Sequence, residues 1–494
     1  MRGKIQSSSK ANLVYIGLVT LLYVICLYML GRNLGFETLW YDEAGQFFIS
    51  KGLNHYSDPY SPEGSILDVI FQNANYNQDP GGFSIILHFW SALSDNIVWL
   101  RLLPFIFFIG AIVFTCLAVA EITHRRLIAY TSGLLLFALW GGHIPYELRP
   151  YSMELCGMAY GLWMIFRLRQ SKHITITSAL AYSLVFAFFL SARYTIIMFG
   201  FIYTIFALCA IWKNGNEVSV TNRLITCTTF CIPLIAMVLY SYIFAMRIQN
   251  GQLQSWGYIT YLQLQHWPFK LYVAGLILSV IFLRWQNKQT RFLTYIFLAS
   301  NTLFILLGYL KLLPWAFTGN KGSVFVWLWY VTLLCIAVSL TTSRLLKKTW
   351  VNYAYLSVAL ILIVLSNWQF AILGLWKEKQ YSVRNMLHAI SAVKSTELIL
   401  VDDLFNPSIR YYYEFMPPTD CSPSYPDQFI LFKGASHSGL GLSGKEYEEI
   451  KQSAKNSAIK GTLYIHAYAP GSQFFIPQFF IKDDYNFIPL YNDK

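Results

Sequence analysis

Three short polar clusters in an otherwise apolar chain hold the residues best suited to chemistry. The first is the adjacent carboxylate pair Asp42-Glu43, which follows the first apolar run and is flanked by aromatic residues. A carboxylate can accept a proton as a general base or can bind a divalent cation, so the pair could serve either purpose. Taken alone, the pair has a plainer interpretation, because most Asp-Glu dipeptides are simply solvated.

The second cluster is residues 77–83, with the sequence Asn-Gln-Asp-Pro-Gly-Gly-Phe, directly before a short apolar stretch. Its plainest interpretation is a helix start, with Asp79 as the N-cap and Pro80 in the first turn. The side chain of Asp79 would then satisfy backbone N–H groups and take no part in chemistry.

The third cluster is residues 146–151, with the sequence Tyr-Glu-Leu-Arg-Pro-Tyr, between two apolar runs. Ionisable residues at membrane depth are costly and usually mark a functional site. Glu147 and Arg149 could instead pair with each other at the interface, which would make the cluster structural.

The composition indicates that membrane helices must position these clusters. Hydrophobic residues make up 55% of the chain and charged residues only 13%, against roughly 25% charged residues in an average soluble protein. The net charge of +12 comes from basic residues in short loops between apolar runs, a pattern that sets membrane orientation, and we expect no nucleic-acid partner. The eight cysteines have no ligand-like spacing, so neither a disulfide framework nor a zinc site is indicated.

The apolar runs predict an all-α polytopic membrane protein with about eleven transmembrane helices. Arg2, Lys4 and Lys10 precede the first run, which has no cleavage site after it, so we expect a signal anchor and a cytoplasmic N-terminus. The stretch Phe83 to Leu93 is too short to span and is predicted to be a re-entrant or interfacial helix. The predicted spans are 13–30, 97–120, 127–144, 151–166, 174–191, 195–212, 224–244, 268–283, 292–312, 323–341 and 352–373.

Two domains are predicted. Residues 1–375 form the transmembrane domain, which includes a long outer loop at 31–82, and residues 376–494 have the composition of a small soluble α/β domain. An odd number of spans makes this second domain extracytoplasmic. Its predicted strands are 397–401, 428–432 and 462–466, and its predicted helices are 381–393 and 445–457.

The order of the polar clusters resembles the polyprenyl-phosphate-dependent glycosyltransferases of the GT-C fold, the superfamily of protein O-mannosyltransferases and lipid A aminoarabinose transferases. The matching segments are Asp42-Glu43, Asp79-Pro80-Gly81-Gly82-Phe83, Arg101, Glu147-Leu148-Arg149-Pro150-Tyr151 and Arg193-Tyr194. The chain departs from the pattern in two places. It has Asp79-Pro80-Gly81 where the family usually has His-Pro-Pro, and Trp329-Tyr330 without the late Arg that family members often carry, although Lys311 or Lys321 could substitute.

The resemblance implies that a sugar is transferred, with inversion, from a polyprenyl-phosphate donor in the membrane lipid to an acceptor hydroxyl on a glycan, lipid or protein. It implies that Asp42 is the base, with Glu43 orienting the acceptor or assisting a cation. Arginines would bind the donor phosphate, because the guanidinium fork stays charged and matches phosphate oxygens. The candidates are Arg149, Arg101 and Arg193, in that order, with Glu147, Tyr151 and Asp79 in supporting positions.

The sequence does not decide whether the protein binds a divalent metal. Asp42, Glu43 and Glu147 could converge on a metal with His55 and His143, but metal use differs among superfamily members and no ligand spacing decides it. The resemblance places the protein in a bacterial inner (plasma) membrane.

Three alternative functions also stay open. A secondary transporter would favour inverted repeats, and no internal repeat is visible. A lipid-linked glycan ligase or polymerase would be expected to have its large loop late in the chain. A non-catalytic assembly protein would keep the fold without the activity.

Overall fold

The structure is a computed structural model that describes the first half of the chain almost continuously and the second half in part. The described residues are 2–35, 39, 41–54, 57–58, 60–77, 79–139, 145–171, 173–214, 219–245, 277, 280–281, 288–310, 352–365, 399–402, 406–416, 429–432, 462–466 and 486–489.

The described part of the chain is mostly helical. The helices are α1 (Arg2–Gly31), α2 (Tyr41–Ser50), α3 (Ile66–Tyr76), α4 (Gly82–Ser91), α5 (Ile97–Thr123), α6 (Arg126–Leu139), α7 (Tyr151–Gln170), α8 (Ile176–Leu190), α9 (Tyr194–Asn214), α10 (Val220–Ala245), α11 (Lys288–Tyr309), α12 (Asn352–Leu365) and α13 (Asn406–Phe415), with a 3₁₀ turn at Arg32–Gly35. The strands are β1 (Ile399–Asp402), β2 (Phe429–Phe432), β3 (Thr462–His466) and β4 (Asn486–Pro489).

Among the described residues, four helices are long and apolar enough to cross a membrane. Their apolar segments are Leu13–Gly35, Ile97–Thr123, Tyr194–Lys213 and Val220–Ile243. Each has at least the roughly 20 residues that a hydrocarbon core of about 30 Å requires. The predicted spans at 13–30, 97–120, 195–212 and 224–244 fall within these four helices.

The remaining predicted spans stand differently. The predicted spans at 127–144 and 174–191 overlap α6 and α8, whose apolar segments are shorter than those of the four long helices. The predicted span at 151–166 lies on α7, which has 20 residues but carries charged side chains. The predicted spans at 268–283 and 323–341 lie wholly or largely outside the described residues. Those at 292–312 and 352–373 overlap α11 and α12, which are not among the four helices long and apolar enough to cross a membrane. Helix α4 has only ten residues, about 15 Å, as expected for a segment that does not span. The total of about eleven spans stays a prediction.

The chain divides into two compact units. The first comprises Met1–Leu34, Asn73–Ile86 and Arg101–Phe370, and the second comprises Gly35–Gln72, Leu87–Leu100 and Ala371–Lys494. The second unit therefore includes most of the predicted outer loop 31–82 as well as the C-terminal region. This loop is not irregular throughout, since it contains α2 and α3.

In the first unit, glycines let α7 pack closely on two neighbours. A Cβ added at Gly157 would lie 2.5 Å from Cβ of Phe189 on α8 and 2.6 Å from Cδ1 of Ile196 on α9. Gly161, one turn later, faces Phe186 and Tyr203 in the same way. Small residues four apart are a common means of close helix packing in membranes.

Hydrogen bonds between side chains join α1, α6 and α12 inside the same unit. The hydroxyl of Tyr15 contacts the hydroxyl of Thr131, and Ser132 Oγ lies 3.0 Å from the hydroxyl of Tyr355. Tyr23 donates to the carbonyl of Tyr130 at 2.7 Å. These bonds satisfy polar groups on otherwise apolar helices, where water is scarce.

In the second unit, a capping box starts α3. The backbone N–H and hydroxyl of Ser65 both donate to Asp68 Oδ2 at 2.7 Å, while the N–H of Asp68 points back to Ser65 Oγ at 3.4 Å. Hydrogen bonds from the side chain and then the backbone of Ser65 lower the pKa of Asp68 from its ordinary value.

The strands of the second unit form a parallel sheet in the order β2-β1-β3-β4. Three of them overlap the ranges in which the sequence predicts strands, whereas β4 and the helix α13 are not predicted. The predicted helices at 381–393 and 445–457 lie outside the described residues. Assignment of residues 376–494 to a separate soluble domain stays a prediction.

The packing of α7 predicts how two glycine substitutions differ. Gly157→Ala should lower the free energy of unfolding by about 1–3 kcal/mol, because Phe189 or Ile196 must move to admit the methyl group. Gly17→Ala on α1 is the matched control, since nothing lies within 4 Å of its added Cβ. Thermal unfolding of the purified protein in detergent measures both, and an equal shift for the two variants would contradict the packing argument.

Candidate functional site

Asn73, near the end of α3, organises the loop that carries Asp79. Its side-chain N–H donates to the backbone carbonyl of Asp79 at 2.8 Å. Its Oδ1 accepts hydrogen bonds from Ser84 Oγ at 2.6 Å and from Asn77 Nδ2 at 3.1 Å. Because both ends of one buried amide are used, Asn73 holds Asn77, Asp79 and Ser84 in fixed positions relative to one another.

Gly81 and Gly82 in this loop are each required for a different structural reason. Gly81 has φ of +97°, a conformation that side chains with a Cβ rarely adopt. The N–H of Gly82 donates to the carbonyl of Ser191 at 3.0 Å, and a Cβ on Gly82 would collide with the Ser191 side chain. The loop is thereby attached to the end of α8.

A buried ion network joins this loop to the starts of α7 and α9. Nε of Arg193 lies 3.3 Å from Oδ1 of Asp79, and its Nη1 lies 3.4 Å from Oε2 of Glu154. The other oxygen of Glu154 accepts a hydrogen bond from the hydroxyl of Thr195. The side chains of Asp79 and Glu154 are 7% and 0% exposed, so the guanidinium of Arg193 supplies charge compensation that water cannot.

The guanidinium groups of Arg193 and Arg149 both contact the ring of Tyr151. The guanidinium carbon of Arg193 lies 4.7 Å from the centre of the Tyr151 ring, and that of Arg149 lies 5.8 Å from it. Both distances fall within the range of cation–π attraction. Pro150 is the residue before α7, so its fixed φ suits the helix start while Arg149 lies in the preceding turn.

The electrostatic balance keeps Arg193 charged. Burial alone would lower the pKa of Arg193, but the carboxylates of Glu154 and Asp79 outweigh burial and raise it above its ordinary value. The positive charge of Arg149 acts in the opposite direction, as expected for two neighbouring guanidinium groups.

These contacts correct the simple interpretation of Asp79. It is not the cap of α4: that helix begins at Gly82, the carbonyl of Gly81 accepts its first backbone hydrogen bond, and the Asp79 carboxylate pairs with Arg193. For Arg193, two carboxylate partners favour a structural role over direct phosphate binding. The phosphate-binding role predicted for Arg149 and Arg101 stays a prediction.

Sequence reasoning missed Glu154. It stands one turn inside a predicted span, where an ionisable side chain is rare and costly, and this was the signal that could have identified it. Glu147 and Arg101, in contrast, are candidate site residues that the sequence did indicate, and they are 2% and 3% exposed. The N–H of Arg149 donates to the carbonyl of Glu147 at 2.6 Å, which closes the turn before Pro150.

The acid pair belongs to the second unit and begins the short helix α2. Asp42 and Glu43 lie in its first turn, where the helix dipole favours negative charge. Glu43 is 2% exposed, whereas Asp42 is half-buried. Of the two residues, Asp42 is therefore the less buried.

Lys51, directly after α2, is a buried cation with two acidic partners. Its Nζ lies 2.9 Å from Oε1 of Glu63 and 2.8 Å from Oδ1 of Asp95. At Gly52, which has φ of +72°, an added Cβ would lie 2.8 Å from Cα of Gly64. This packing holds the end of α2 against the segment before α3.

Within the part of the chain that the structure describes, no three His, Cys, Asp or Glu side chains come close enough together to hold a metal ion. A metal role for Asp42, Glu43 and Glu147 stays a prediction. His55 and His143 lie outside the described residues.

Removal of Arg193 should be far more damaging than removal of an exposed arginine. Arg193→Ala leaves two buried carboxylates without a counter-charge and should lower the free energy of unfolding by about 3–5 kcal/mol. Arg167→Ala is the control, because Arg167 pairs with Glu121 at 3.2 Å but is 53% exposed, and it should cost less than about 1 kcal/mol. Denaturant unfolding in detergent measures both. Similar losses for the two variants would mean that the network is not effectively buried.

The chain matches no protein-family model, no curated protein and no solved structure. Its candidate functional residues are a charge-compensated arginine network with a neighbouring second arginine, and a helix that begins with the half-buried Asp42 and the buried Glu43.

Proposed function

We propose that this protein is an inverting glycosyltransferase that uses a polyprenyl-phosphate sugar as donor and acts at the outer face of a membrane. One observation carries the proposal: Arg149-Pro150-Tyr151 holds a guanidinium at the start of α7, beside a second guanidinium whose charge is already balanced by two carboxylates. This motif follows the acid pair in the order that the GT-C glycosyltransferases have.

Arg149 is the principal donor-phosphate ligand in this proposal. Arg193 is compensated by Asp79 and Glu154, so it serves mainly to hold Tyr151 and the loop at 77–84. Arg149 is partly accessible and is bounded by the Tyr151 ring. Its planar fork can bind two phosphate oxygens and stays charged throughout the reaction. Arg101 is the second cation assigned to the phosphate.

The chemical step is a single displacement. The acceptor hydroxyl attacks the anomeric carbon, its proton moves to the Asp42 carboxylate, and a new carbon–oxygen bond forms with inversion. The bond between the anomeric carbon and the phosphate oxygen breaks, and its electron pair leaves with the polyprenyl phosphate. Arginine stabilises this developing charge most effectively where water is scarce. Glu43 orients the acceptor or assists a cation.

A lipid-linked donor accounts for the composition of the chain. The donor tail stays in hydrocarbon while its phosphate lies at headgroup depth, so the binding residues must sit at the ends of apolar helices. Arg149, Tyr151 and Arg193 do lie at helix starts, whereas a soluble nucleotide-sugar donor would place no such demand. The acceptor, a glycan, lipid or protein, approaches from the aqueous side.

The proposal includes a bacterial inner membrane location, about eleven spans, a cytoplasmic N-terminus and an extracytoplasmic α/β region at 376–494.

Fusions to alkaline phosphatase, an enzyme that needs an oxidising compartment to form its disulfides, test this orientation. One fusion is made after residue 171 and the other after residue 494. The first fusion should be inactive and the second active. The opposite pattern would contradict the assignment of the outer face.

Activity is tested by incubating membranes that contain the protein with radiolabelled polyprenyl-phosphate sugars. Asp42→Asn should reduce transfer by about 100-fold or more, since loss of a general base typically costs that much. Asp58→Asn is the matched control, because its side chain is exposed and belongs to the same outer segment. Equal labelling by the wild type and by Asp42→Asn would exclude Asp42 as the base.

The product identifies which rival function holds if the proposal fails. Label on a long glycan chain would favour a ligase or polymerase, and movement of intact label across the membrane without transfer would favour a transporter. Absence of both in the wild type, under conditions where the protein is folded, would favour an assembly protein.

A further inference from the structure

Helices α2 and α13 are both too short to be stable alone. Each has ten residues, whereas an isolated helix in water needs roughly 12–15 to be even marginally stable. Both belong to the second unit, although α13 lies far along the chain in the C-terminal region. Each must therefore gain its stability from packing, and the structure packs them against each other.

Aromatic side chains form the contact. The Phe47 ring meets the rings of Tyr411 and Phe415 edge-on, with centroid distances of 5.0 and 4.9 Å. The guanidinium of Arg410 lies over the Phe48 ring at 4.7 Å. Phe47 and Phe48 are 0% exposed, so this face of α2 is completely covered.

The acid pair lies at the start of the helix that this contact covers. Residues four apart share a face of a helix, so Glu43 lies on the face of Phe47. Glu43 is accordingly 2% exposed, whereas Asp42, about 100° around the helix, is half-buried.

Arg410 also holds the segment that follows α2. It donates to the backbone carbonyls of Asn54, Ser57 and Asp58 at 3.2, 2.7 and 3.2 Å. The carboxylate of Glu414, one turn later, accepts from its Nε at 2.8 Å and from its Nη2 at 3.3 Å. Arg410 is 1% exposed, so its charge is fully enclosed by these acceptors.

We propose that α13 is the positioning element of the acid pair. Through Tyr411, Phe415 and Arg410 it sets the rotation of α2 and the path of the chain after it, so that Asp42 faces the acceptor and Glu43 stays covered. The C-terminal region is then a required part of the catalytic unit. Arg410 acts through α2 and is a positioning residue, and its catalytic consequence rests on the proposed function.

The test uses the full-length protein in nanodiscs with two readouts, hydrogen exchange and transfer kinetics. Arg410→Ala should raise amide exchange in residues 41–58 and lower kcat by about 10- to 100-fold, the scale of loss from a small misplacement of catalytic groups. The KM for the lipid donor should change little, because Arg149 and Arg101 are untouched. Arg410→Lys keeps the charge but cannot reach all the acceptors, so its losses should be intermediate.

Arg167→Ala is the matched control, another arginine paired with a glutamate but at an exposed position, and it should change neither readout. Unchanged exchange at residues 41–58 in both Arg410 variants would overturn the docking. Raised exchange with unchanged kcat, or a loss that appears mainly in donor KM, would overturn the positioning role. If the wild type transfers no sugar, the proposed function and this catalytic role fall together, whereas the exchange measurements still decide whether α13 orders α2.

Discussion

The ion network around Arg193 is the interaction on which the organisation of the first unit depends. Two carboxylates with almost no exposure can stay ionised away from water only if a cation is held between them. Asp79 comes from a loop, Glu154 from the first turns of α7, and Arg193 from the link before α9, so three separate segments are joined by one charge requirement. Gly82 fits this arrangement, because a side chain there would separate the loop from Ser191 at the end of α8, while Gly81 supplies the positive φ that the loop needs.

This arrangement separates two kinds of arginine. Arg193 has a structural role, since it pairs with both Asp79 and Glu154 and packs against the Tyr151 ring. Arg149, in the turn before Pro150, contacts the same ring. In the proposed function, this charged frame pre-organises the site for the donor phosphate.

The second unit follows a different constraint. Helices α2 and α13 are individually unstable and are stabilised by a shared aromatic contact, with Arg410 donating to carbonyl groups of the segment that follows α2. In the proposed function, the residues that stabilise α2 therefore also position the acid pair at its start.

Much of this could be predicted locally. Hydropathy and run length identified the four long apolar helices, and β-branched and aromatic residues marked three of the four strands, because these signals depend only on neighbouring residues. Polar clusters at helix ends identified Asp79, Arg149, Tyr151 and Arg193 as residues of interest. The local pattern gave Asp79 the wrong partner, however, because an Asp before a short helix has the signature of a cap.

The sequence by itself determined that several helices are long and apolar enough to cross a membrane and that polar groups concentrate at helix ends, because hydropathy is a local property of the sequence. Only the tertiary structure decided which charges meet. Arg193 and Asp79 are 114 positions apart, and Arg410 and Ser57 are 353 apart. Such pairs form because burial forces each charge to find a counter-charge or an acceptor wherever the fold brings one within reach, and no periodicity in a single chain encodes that choice.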